Sequence, residues 1–204
     1  MAQDNVFIVN GARTAMGGFQ GSLAALSAPR LGAASIREAV ARAGLNAADI
    51  EDVIMGCVLP AGLGQGPARQ AMRLAGLPDG TGATTINKLC GSGMRATMFG
   101  HDMIKAGSHD IVVSGGMESM SNAPYVLEKA RAGYRMGHGK VLDHMFLDGL
   151  EDAETGRLMG SFAQNVADQR GITREQSDAV AISTGESQPG QEGVIPVSDA
   201  QKVL

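Results

Sequence analysis

The sequence predicts an α/β fold: a layered domain over residues 1–117, a mostly helical excursion over residues 118–190 and a tail over residues 191–204. Three observations predict it. Short apolar runs alternate with helix-period segments through the first part, which is the order of strand–helix–strand units joined by right-handed crossovers. Glycine or proline bounds each segment. After Met117 the apolar runs cease while helical periodicity persists.

The first run, Val6-Phe7-Ile8-Val9, ends at Asn10-Gly11 and reads as a buried strand. A helix is expected over residues 29–43, because Ile36, Ala39, Val40 and Ala43 recur at helical spacing. Ser27 offers a cap, Pro29 suits a first turn and Gly44 closes the helix. Asp52 to Val58 reads as a second strand. Pro60 to Gly66 is a glycine-rich loop, and Pro67 to Ala75 a short helix ended by Gly76 and Pro78. Thr84-Thr85-Ile86 opens a third strand running toward Leu89, and a helix follows from Met94 to Ala106. Ile111-Val112-Val113 is a fourth strand. In the excursion no strand is expected. Met159, Phe162, Ala163, Val166 and Ala167 form a helical stripe ended by Gly171, and Thr173-Arg174-Glu175-Gln176 matches a capping box that opens another helix. Gly185 to Gly193 reads as loop or disorder.

Bulk properties narrow the function. The 204 residues carry a net charge of −4, which argues against the basic face that nonspecific nucleic-acid binding requires. No apolar run is long enough for a membrane span. Met1 to Asn5 has neither the basic nor the apolar region of a signal peptide. Two cysteines, Cys57 and Cys90, make no disulfide framework, so a cytoplasmic, reducing setting is expected. The 12 methionines suit an adaptable core or a flexible apolar pocket.

Cys90 is the candidate nucleophile. It stands where a strand ends and a helix begins, in Asn87-Lys88-Leu89-Cys90-Gly91-Ser92-Gly93. A helix N-terminus offers unpaired N–H groups and partial positive charge, and both favour the reactive thiolate. Gly91 and Gly93 remove side chains from the path of an incoming substrate, and their N–H groups are candidate oxyanion donors. The competing reading is a small buried hydrophobe, the usual fate of a free cysteine. Cys57, inside Val53-Ile54-Met55-Gly56-Cys57-Val58, reads as core packing. His101 has no assigned role, His109 reads as a surface turn residue, and His138 and His144 fall in the excursion. None has metal-ligand spacing, so no metal site is expected. Glycines 62, 64 and 66 lack the dinucleotide-binding fingerprint and read as a close-packed loop.

Four segments together resemble the thiolase family. They are Val9-Asn10-Gly11-Ala12-Arg13-Thr14-Ala15, Asn87 to Met94 as Asn-Lys-Leu-Cys-Gly-Ser-Gly-Met, Gly115-Gly116-Met117-Glu118-Ser119-Met120-Ser121-Asn122-Ala123-Pro124-Tyr125, and Arg135-Met136-Gly137-His138. The resemblance covers about residues 4–184 and is closest to the acetoacetyl-CoA type. It implies a layered α-β-α-β-α fold, of which this chain carries the first half, and Cys90 as the acyl-accepting residue. It implies a two-step exchange with acetyl-CoA and acetoacetyl-CoA, with coenzyme A thioesters as substrates, no metal or redox cofactor, and a homodimer or homotetramer. Residues 118–190 resemble the family's loop domain, in which Leu150 and Met159 stand at positions lining the pantetheine arm of coenzyme A. Leu158 departs from the His of many biosynthetic relatives. Family members have two similar halves, the second supplying a Gly-His-Pro histidine, a Cys-x-Gly-Gly-Gly cysteine and an Asn-Glu-Ala-Phe segment. None of these occurs here, and the tail beyond Thr184 departs from the family pattern. A shortened coding sequence is the expectation that covers both facts. The alternatives are a noncatalytic fragment or CoA-binding remnant, and a condensing enzyme of the β-ketoacyl synthase type, against which the Met117-Glu118-Ser119-Met120 segment argues.

Overall fold

A computed structural model describes residues 5–186, which fall into two compact units, one ending at Pro124 and one beginning at Tyr125. In the first unit α1 (Ala28–Ala43) precedes β1 (Asp52–Gly56), α2 (Pro67–Ala75), β2 (Gly82–Ile86), α3 (Ser92–Lys105) and β3 (Val112–Gly116). The three strands are parallel in the order β2-β1-β3, with Asp52 opposite both Gly82 and Val112. Side-chain alternation along β1 assigns the layers. Val53 and Met55 pack with Ile36 and Val40 of α1 and with Ala71 and Met72 of α2. Ile54 points the other way and packs with Ala96 of α3 and Val112. The sheet is therefore covered on both faces, as parallel strands require, and this explains why β1 reads as an unbroken apolar run.

Capping follows the sequence in most places. Gly44 takes the left-handed conformation after α1 (φ 68°), and its N–H bonds to the Ala41 carbonyl. Ser27 occupies the cap position of α1 but makes no side-chain cap bond. The loop before α2 is held by Gln70, whose Nε2 donates to the carbonyls of Leu63 and Gln65 at 2.8 Å each.

Two expectations for the first unit change. Residues 6–9 form no strand: a single bridge position falls at Ile8, and Phe7 and Val9 are exposed. A strand needs a ladder partner for its backbone groups, and β-branched composition does not provide one. The helix after Cys90 begins at Ser92, two residues before the predicted Met94, and the strand before it stops at Ile86.

The second unit holds a two-stranded antiparallel ladder, β4 (Tyr125–Val126) with β5 (Leu142–Asp143), where no strand was expected. A π-helical turn follows at Phe146–Leu150, then α4 (Met159–Arg170) and α5 (Arg174–Glu186). The predicted capping box is present: Thr173 N–H donates to Gln176 Oε1 at 2.9 Å and Gln176 N–H to Thr173 Oγ1 at 3.2 Å. Helix α5 runs through Gly185, which corrects the start of the predicted loop; residues 187–193 lie outside the described residues. Among the described residues from Tyr125 onward, His144 is the one buried side chain, and no apolar side chain is buried.

The first turn of α3 is pressed onto the ends of β1 and β3 across glycines. A Cβ at Gly56 would lie 2.4 Å from Ser92 Cβ and 2.9 Å from the Gly93 nitrogen. Both neighbours belong to a helix turn that cannot yield like a flexible side chain. Gly56→Ala is therefore expected to destabilise the chain by about 3 kcal/mol or more, the upper end of overpacking costs. Gly80→Ala, where nothing lies within 4 Å, is expected to stay within about 0.5 kcal/mol. Denaturant unfolding of both variants checks the contrast.

Candidate active site

Five residues connect β2 to α3, and their hydrogen bonds fold them into a tight turn. Asn87 Oδ1 accepts the Leu89 N–H at 2.9 Å. Ser92, the first residue of α3, closes the turn twice with its hydroxyl, accepting from Lys88 N–H at 2.8 Å and donating to the Leu89 carbonyl at 2.6 Å. The Gly91 N–H bonds to the Lys88 carbonyl at 3.1 Å. Leu89 is held at φ 49°, a left-handed conformation that costs a residue with a Cβ about 1–2 kcal/mol. Such local strain persists where surrounding bonds over-determine the backbone, often next to a functional group. The next residue is Cys90.

Cys90 is exposed, so the buried-hydrophobe reading does not hold for it. Its thiol has no hydrogen-bond partner among the described residues. It lies at the carboxyl end of the parallel sheet, the edge at which open α/β sheets place ligands. The flanking glycines have different surroundings. The Gly91 N–H is already spent on Lys88. A Cβ on Gly93 would face the backbone of Gly115 and Gly116 at 3.6 Å, an ordinary contact distance on the side of the turn that packs against the sheet.

Cys57 has the opposite environment. It is buried in the core, in agreement with its reading as packing. Its Sγ lies 3.6 Å from Glu118 Oε1. Burial, and then the neighbouring Glu118 charge and hydrogen bond, push the thiol up to about 12. Glu118 also accepts two backbone bonds, from Val58 N–H at 2.7 Å and Leu59 N–H at 3.0 Å. Sequence reasoning used Glu118 only as part of a family segment and missed this contact. No local signal pointed to it, because the N–H groups it accepts lie 60 and 59 residues earlier in the chain.

The histidines are accounted for elsewhere. His101 Nδ1 sits 3.1 Å from Asp102 Oδ1 on the exposed side of α3. His109 is half-buried, with Nε2 3.9 Å from Asp52 Oδ2, and so is not the surface turn residue expected. His144 is paired with Asp148, and His138 is exposed. Among the described residues no group of three or more His, Cys, Asp or Glu side chains could hold a metal ion. No helix of the described residues is long and apolar enough to cross a membrane.

Leu150 and Met159 both lie in the second unit. Leu150 is half-buried at the end of the π-helical turn, and Met159 is half-exposed as the first residue of α4. An antiparallel bridge between Glu151 and Leu158 brings their two segments side by side, with Leu150 and Met159 one step beyond it on opposite segments.

The family model for the thiolase N-terminal domain matches residues 6–192. The chain belongs to the thiolase family. Among its relatives, an acetyl-CoA acetyltransferase of Pseudomonas aeruginosa is 51% identical over 180 residues, covering 88% of this chain and 46% of that protein. One from Cupriavidus necator is 52% identical with the same coverage. One from Allochromatium vinosum is 43% identical across 98% of this chain and 52% of its own length. The family match therefore runs beyond Thr184, where the resemblance was expected to stop. The chain spans about half the length of these relatives.

The two thiols of this thiolase chain should be separable by chemistry. Iodoacetamide at pH 8 is expected to label Cys90 and spare Cys57 until the chain unfolds, read by peptide mass mapping. A thiol that ionises at 9.0 when unfolded and at about 12 when folded loses its proton first in the unfolded chain. Stability from Cys57 is thus complete below pH 9 and falls as pH rises toward 12, by at most about 1.4 kcal/mol per pH unit. Cys57→Ala should remove that slope from an alkaline denaturation series.

Proposed function

We propose that this chain carries the acyl-accepting half of an acetyl-CoA acetyltransferase. The observation that carries the reading is an exposed cysteine, Cys90, on a strained turn at the N-terminus of α3 in a chain of the thiolase family. In the first step the Cys90 thiolate attacks the thioester carbonyl of acetyl-CoA, the carbon–sulfur bond to coenzyme A breaks, and acetyl-Cys90 forms. Coenzyme A leaves as a thiolate that takes up a proton. In the second step another acetyl-CoA loses an α-proton to a base, and its carbanion attacks acetyl-Cys90. Acetoacetyl-CoA forms and the Cys90 thiol is restored. The reverse direction is thiolysis.

The relatives' printed names support the acetyl-CoA substrate. In this reading residues 1–117 present the nucleophile and residues 118–190 form a loop domain whose Leu150 and Met159 line the pantetheine arm. Residues 191–204 are a divergent tail. The working form is a homodimer or homotetramer in the reducing cytoplasm. The resemblance places the activating histidine in the family's second half, so the first half-reaction is the activity this chain supports best by itself. A second reading, a noncatalytic thiolase half, is favoured by the exposed apolar side chains of α4 and α5, Val166, Val180 and Ile182 among them.

Incubation of the purified chain with acetyl-CoA, followed by intact mass, decides between them. The expected result is one acetyl group, mapped to Cys90 and absent from Cys90→Ser. Accumulation of acetoacetyl-CoA in the same tube would extend the activity to turnover. An unmodified but folded wild-type chain would overturn the enzymatic reading and leave the noncatalytic one.

A further inference from the structure

We propose that Glu118 is a positioning residue for Cys90, acting through the turn after β1 and through Asn87. The proposal rests on the reading of Cys90 as the nucleophile. Glu118 follows Met117, whose N–H extends the β1–β3 ladder by bonding to the Gly56 carbonyl at 2.9 Å. From that anchored position the carboxylate reaches over the end of β1 and takes the N–H groups of Val58 and Leu59. Hydrogen bonds to a charged acceptor are shorter and stronger than neutral ones, so this clamp fixes the two residues where the chain leaves the sheet.

The clamped turn then holds the one before Cys90. The Val58 carbonyl accepts from Asn87 Nδ2 at 3.4 Å, the longest link of the set. The same Asn87 side chain accepts the Leu89 N–H through Oδ1. One amide thus joins the carboxylate-held turn to the residue in the left-handed conformation, and Cys90 is the next along the chain. The series runs from Glu118 through Val58, Asn87 and Leu89 to Cys90, with every bond between groups in the first unit.

The test is a double-mutant cycle on the 204-residue chain, read as the rate of Cys90 alkylation by iodoacetamide with mass mapping to separate it from Cys57. Glu118→Gln leaves one acceptor for two N–H groups. Asn87→Ser keeps a short neutral acceptor for Leu89 but cannot span to Val58. Each single variant is expected to change the Cys90 rate about tenfold, the scale of a misplacement below 1 Å. The double variant is expected to match a single one, because both cut the same series. A purely electrostatic effect of the lost charge would persist in the Asn87→Ser background, so multiplying effects overturn the proposal, as does an unchanged rate in Glu118→Gln. If Glu118→Gln does not fold, Asn87→Ser against Asn87→Ala decides. Equal losses support the link to Val58, and a wild-type rate in Asn87→Ser overturns it. Acetylation by acetyl-CoA is followed in parallel. Alkylation without acetylation in the wild type defeats the proposed function and leaves the positioning role to be decided by the cycle.

Discussion

A side chain at position 56 and the first turn of α3 cannot occupy the same space. That exclusion shapes the rest of the first unit. Because Gly56 has no Cβ, Ser92 and Gly93 descend onto the end of β1, and Gly116 lets the same turn approach β3. The Ser92 hydroxyl is then close enough to the β2–α3 connection to bond at both Lys88 and Leu89. Those bonds hold the short connection in which Leu89 takes the left-handed conformation, and the exposed Cys90 follows it directly. The chemistry of the site is therefore set by backbone packing before any charged group takes part.

The two cysteines show how far environment separates identical side chains. Cys57 points into the layer between the sheet and the first two helices, with a carboxylate beside it, and both burial and charge hold its proton on. Cys90 follows the neighbouring strand β2 and meets solvent. Glu118 touches both regions. It neighbours Cys57 directly and is linked to the turn before Cys90 only through backbone and Asn87. One carboxylate thus belongs to the core and to the site at once.

Much of this was legible in the chain. Helical spacing and glycine stops located α1, α2 and α4, and the capping box located α5, because those signals are local. The place of Cys90 on a strand-to-helix turn was legible because a strand–Cys–Gly–x–Gly–helix order carries its own geometry. The misplaced strand at Val6 to Val9 shows the limit: a short apolar run reports burial preference, while a ladder depends on a partner distant in sequence. Glu118 escaped for the same reason, since its bonds reach back some 60 residues to a turn that no pattern near it encodes.

The second unit has helices without a buried apolar side chain among its described residues. Helices of 12 and 13 residues are marginal in water when no apolar face is covered. Their amide protons are thus protected by little more than local hydrogen bonds, whereas those of β1 lie within a sheet covered on both faces. Hydrogen exchange would see this chain as two populations, a slow sheet and fast helices. A single melting temperature for the whole chain would not describe either one.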